Sequence, residues 1–111
     1  MPHARPVQSG DALKVVDPNL PEYRRTGYVL PFDGNEGEGW ATLNLGNGER
    51  AYVPLSACQP VFDLIDAGRV VACLPSLDSA FDMLSRFRRC NGGARSYLIK
   101  CGLNVIDLPA G

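Results

Sequence analysis

Four cysteines and one histidine are the side chains best suited to metal or covalent chemistry in this chain, and their spacing works against both. Cys58, Cys73, Cys90 and Cys101 stand 15, 17 and 11 residues apart. None forms a C-x-x-C pair, whereas structural zinc sites are built from ligands paired at short spacing. His3 is the only imidazole, and a dyad with a cysteine would have to recruit it from an unpatterned tail. The thiols are therefore expected to be reduced and to pack as small buried hydrophobes, Cys73 and Cys101 within strands. No metal and no other cofactor is expected. Asp33, Glu36 and Glu38 cluster, but in a glycine-rich loop that would not hold carboxylates in the geometry acid–base work needs. Gly34, Gly37 and Gly39 match neither a dinucleotide fingerprint nor a phosphate loop. The chain offers no catalytic residue, and nothing in it supports an enzyme.

The remaining chemistry is that of binding. Tyr23, Trp40 and Tyr52 are candidates for an aromatic platform that contacts another protein, since exposed Trp and Tyr are typical anchors. The competing role for Trp40 is to bury area. Arg86, Arg88, Arg89, Arg95 and Lys100, near Tyr97, form the best candidate surface for an anionic partner. Three of these arginines close a helix, where cations also complement the backbone dipole. Net charge is −1, but the balance is uneven. Residues 1–68 hold five cations against nine carboxylates, and residues 69–111 hold six cations against three. An anionic partner should prefer the second half.

These side chains must be positioned by elements that the pattern of the chain announces. At 111 residues and 45% hydrophobic, the chain can form one ordinary domain, or a very small one with an extension, around its own core. No apolar run approaches a membrane span and no secretory h-region opens the sequence, so a cytoplasmic location is expected. Residues 1–10, with two prolines, read as a flexible tail. Residues 11–17 and 26–30 read as strands separated by a loop with two prolines. Trp40-Ala41-Thr42-Leu43-Asn44-Leu45 alternates with period two, which turns Ala41, Leu43 and Leu45 inward and Trp40, Thr42 and Asn44 outward. Gly46-Asn47-Gly48 supplies a tight hairpin, residues 49–53 return, and residues 54–58 suit one 3₁₀ turn before a last short strand. The second half begins with an apolar strand over 69–74. Ser76 then caps a helix with Leu77, Ala80, Phe81, Leu84 and Phe87 on one stripe, and two strands follow around Gly102.

Gly10-Asp11-Ala12-Leu13-Lys14-Val15-Val16, Thr26-Gly27-Tyr28-Val29, the glycine hairpin and Tyr52-Val53-Pro54-Leu55-Ser56-Ala57-Cys58-Gln59-Pro60-Val61 together resemble the SH3-like barrel superfamily, and within it the KOW-type members. The resemblance covers about half the chain. It implies an N-terminal SH3-like five-stranded β-barrel over 11–62; with the C-terminal βαββ extension over 66–111 that the pattern of the second half predicts, packed on the barrel, the whole chain is expected to be an α+β protein. KOW modules imply contact with RNA, ribosomes or the transcription machinery, but the acidic balance of this half opposes phosphate contact. Set against SH3 signalling domains, Trp40 matches the peptide-contacting Trp and Pro54 the family's characteristic Pro, while Cys58 stands where a Tyr-Val pair is common and the first-strand tyrosines are missing. The expected role is a small non-catalytic binding or adaptor protein acting through protein–protein contacts. The alternative is a nucleic-acid-associated accessory protein using the basic helix end. A homodimer would cover the second face of the apolar strand over 69–74 if the barrel does not.

Overall fold

A computed structural model describes residues 5–32, 34, 37–90 and 96–108. Over the described residues the chain is a strand-rich α+β protein with two antiparallel sheets and one helix. The first sheet holds β1 (Ala12–Val15), β2 (Thr26–Val29), β3 (Trp40–Gly46), β4 (Glu49–Pro54) and β5 (Cys58–Pro60), in the order β4-β3-β2-β1-β5. Its alternation is the one read from the sequence. Leu13, Val15, Val29, Ala41, Leu43, Ala51 and Val53 form one buried cluster, and the residues between them face outward. Asn47 and Gly48 both take positive φ, as the tight turn joining β3 to β4 demands. A 3₁₀ turn, Leu55–Ala57, separates β4 from β5.

The second sheet departs from the sequence expectation. It has four strands, β6 (Phe62–Asp66), β7 (Arg69–Leu74), β8 (Tyr97–Cys101) and β9 (Asn104–Ile106), in the order β7-β6-β8-β9, so the extension is ββαββ rather than βαββ. The missed strand, β6, is one of the two central ones. Two aspartates lower the strand signal of Phe62-Asp63-Leu64-Ile65-Asp66. The turn after it is Ala67-Gly68, where alanine itself sits at φ 51° in a place usually given to Asn, Asp or Gly.

Helix α1 (Leu77–Cys90) lies over one face of this sheet. Ser76 Oγ accepts the Ser79 N–H at 3.1 Å, which caps it as expected. Ala80 and Leu84 of the stripe pack with Phe62, Leu64, Ile99, Cys101 and Ile106 in a second core, and Leu77, Phe81 and Phe87 lie against it. Strand β7 forms the sheet edge, with Ala72 and Leu74 packed on this core and Val70, Val71 and Cys73 exposed, so within one chain the first sheet does not cover them.

Two cores rather than one give an elongated molecule. The radius of gyration is 15.1 Å, against about 13 Å for a compact chain of this length. Only Val61 stands between β5 and β6, and its N–H donates to the Ala12 carbonyl at 3.0 Å. A seam of polar contacts joins the start of the first sheet to the β8–β9 turn. Leu103 N–H donates to Gly10 O at 2.9 Å, and Cys101 Sγ lies 3.6 Å from Ala12 O. The tail expected over 1–10 is held from Arg5 onward: Arg5 and the Gln8 N–H both bond Asp11, and Val7 packs on the first core.

Candidate functional site

The outer face of the first sheet presents its aromatic residues in register. Thr42 pairs with Tyr52 and Trp40 with Pro54, so Trp40 and Tyr52 are diagonal neighbours on one face. Their rings stack with centroids 4.8 Å apart and planes 18° from parallel. Trp40 belongs to neither core cluster and keeps 38% of its surface exposed; Tyr52 keeps 51%. The loop before β3 closes on the pair, Gly37 N–H donating to the Tyr52 hydroxyl at 2.7 Å. That bond and the stack fix both rings before any ligand arrives, which lowers the entropy cost of binding. The next row on the face is Tyr28–Asn44–Arg50, with Tyr28 47% exposed. Tyr28 was not singled out from the sequence, although alternation through Thr26-Gly27-Tyr28-Val29 places it opposite Val29 and so outside.

Tyr23 does not join this platform. It follows Leu20 in the loop between β1 and β2, and the neighbouring Arg25 pairs with Glu49 at the β3–β4 turn. Trp40 begins β3 and Gly46 ends it, so Tyr23 lies toward the opposite end of the sheet, about 20 Å along the strand from Trp40. Its ring instead supports Arg24, whose guanidinium carbon stands 5.2 Å from the ring centroid. The sequence could not show this, because the loop's direction is set by Arg24 N–H donating to Val15 O.

The cationic set is also divided. Arg86 is paired with Asp82 one turn earlier, and Arg89 is exposed at the end of α1 with the half-buried Arg88 beside it. Lys100 pairs across the sheet with Asp63, two residues whose neighbours Ile99 and Leu64 face the helix. Lys100 therefore projects from the sheet face that α1 does not cover. Arg95 lies outside the described residues, as do His3 and, from the acidic loop, Asp33 and Glu36.

The cysteines correct another expectation, since only Cys101 is buried; Cys58 is half-buried, and Cys73 and Cys90 are exposed. Burial pushes the Cys58 and Cys101 thiols up, Asp11 adding to the effect at Cys101. At Cys73 the thiol is raised chiefly by its hydrogen bond to Asp63 and further by desolvation and by the carboxylate's charge. A raised thiol carries less thiolate at neutral pH, and thiolate is the reactive form. Alkylation at pH 7.5, followed by peptide mass mapping, should modify Cys90 before Cys73, and Asp63→Asn should accelerate Cys73 several-fold. Equal rates in both proteins would remove Asp63 as the cause. Among the described residues no three of His, Cys, Asp and Glu converge on a metal-sized site, and no helix is long and apolar enough to cross a membrane.

Fold and site together define a two-sheet α+β protein that presents an ordered aromatic pair on an open strand face. No family model matches the chain, and neither the curated proteins nor the solved structures include a significant match.

Proposed function

We propose that this protein is a non-catalytic binding module that docks a partner protein on the face carrying Trp40 and Tyr52. The observation that carries the reading is the stacked, hydrogen-bonded and exposed pair itself. Rigid aromatic rings contribute large contact area at little entropy cost, and they dominate many interfaces. Within the same reading the first sheet is an SH3-like barrel of the KOW type. Its support is the strand order β4-β3-β2-β1-β5, the 3₁₀ turn between β4 and β5, and the pairing of Trp40 with Pro54. The rival is contact with nucleic acid through the set Arg86, Arg88, Arg89, Arg95 and Lys100, of which the first three stand at the helix end and Lys100 projects from the other sheet face.

Partner capture on the immobilised protein separates the two. Trp40→Ala should cost at least ~30-fold in partner affinity, the size of an interface hot spot, with the fold retained. Replacing Arg86, Arg88 and Arg89 together by Ala, or adding nuclease, should leave capture unchanged. The opposite pattern would transfer the function to the helix end.

A further inference from the structure

Between the two sheets runs a groove of about 490 Å³, within the size range of small-molecule sites. We propose that it binds a small organic phosphate monoester, with the phosphate held by Lys14 and Arg24. The site shares the outer face of the first sheet with Trp40 and Tyr52 but lies at its other end, beyond the Tyr28–Asn44–Arg50 row, and the proposal does not rest on the function assigned there.

Three donors form a single row along one side of the groove. Lys14 pairs in register with Thr26 on β2 and with Gln59 on β5. All three are exposed, since Leu13 and Val15 take the core positions on β1. Arg24 joins them from the loop, in a backbone conformation that L side chains rarely adopt, φ 73°. Its N–H is bound to Val15 O, and its guanidinium rests on the Tyr23 ring. The arginine is thus held in place from both its backbone and its head.

Charge singles out this groove within an acidic half. Arg5 and Arg25 are committed to Asp11 and Glu49. Among the described residues Lys14 and Arg24 have no acidic partner, and no carboxylate lines the groove. Two cations suit a dianion, and a hydroxyl and an amide beside them suit an oxyanion rich in acceptor lone pairs. Val61, Leu74 and Pro75 line the same groove and give an organic body an apolar surface to lie on.

Calorimetric titration of the full chain with phenyl phosphate at low ionic strength tests this. One saturable site is expected, weakened at least tenfold by the pair Lys14→Gln and Arg24→Gly. The glycine also relaxes the left-handed backbone, so the double variant keeps its fold, as circular dichroism will verify. Arg50→Gln removes a cation on the row beyond this groove and should leave affinity unchanged. Benzoate, with the same ring and one charge, should bind at least tenfold more weakly, and inorganic phosphate more weakly than its phenyl ester. Absence of saturation, wild-type affinity in the double variant, or equal loss in Arg50→Gln would overturn the site. Equal binding of benzoate or of inorganic phosphate would overturn the ligand class.

Discussion

Gly102→Ala should destabilise the protein by about 3–5 kcal/mol, the largest loss expected from a single methyl group in this chain. Gly102 sits at φ 62° in the β8–β9 turn. A left-handed alanine alone costs roughly 1–2 kcal/mol. The greater term is contact: a Cβ there would fall 2.2 Å from Gly10 O and 2.7 Å from Ala12 N. Both are backbone atoms that cannot swing aside as a flexible side chain would. Accommodation must open the seam, including the Leu103 N–H to Gly10 O bond. Gly48→Ala is the control. At φ 79° it pays the same conformational cost, but nothing stands within 4 Å of its added Cβ. Urea unfolding of both variants isolates the packing term, and equal losses would show that the close approach at the seam has no energetic weight.

Asp11→Ala is the second large effect, about 3 kcal/mol. Asp11 is 1% exposed, and its carboxylate accepts bonds from two Arg5 nitrogens at 2.7 and 3.1 Å, from the Gln8 N–H at 2.9 Å and from Asn104 Nδ2 at 2.7 Å. Breaking a buried ion pair by removing one partner typically costs 3–5 kcal/mol, because the other charge loses its compensation. Arg5 keeps some access to solvent, its side chain being 16% exposed, which places the loss at the lower end. Asp11→Asn keeps the shape and one acceptor and should cost less than Asp11→Ala. Hydrogen exchange should quicken at Gln8, whose N–H loses its acceptor, and at the β8–β9 turn. A loss below 1 kcal/mol for Asp11→Ala in denaturant unfolding would mean that the tail and turn are anchored elsewhere.

Local pattern carried most of the first sheet. Strict alternation from Trp40 to Leu45, the Asn47-Gly48 turn and the stop at Pro54 are each decided by a few neighbouring residues, and each formed as read. The helix was equally legible, because Ser76 and the apolar stripe act within single turns. Strand β6 was not, since its strand character comes from pairing on both sides with β7 and β8, which no local rule reports. The cysteines erred in the same way: Cys73 lies in a strand as expected, but at an edge, and edge or centre is a property of the sheet. Of the candidate site, Trp40 and Tyr52 could be placed on one face from periodicity, while Tyr23 could not be excluded from it without the loop's course. The groove was wholly illegible. Its lining comes from residues 14, 24, 26, 59–61 and 73–75, brought together only by the arrangement of the two sheets.

The lone residue between β5 and β6 has a mechanical consequence. A linker of one residue offers two torsions, its neighbour Pro60 has one of its own fixed by the ring, and Val61 is further tethered through its amide to Ala12. The joint therefore has no slack to absorb a pull. Together with the Leu103 N–H to Gly10 O bond, which ties the sheets a second time, the joint leaves no single backbone torsion free to act as a hinge between them.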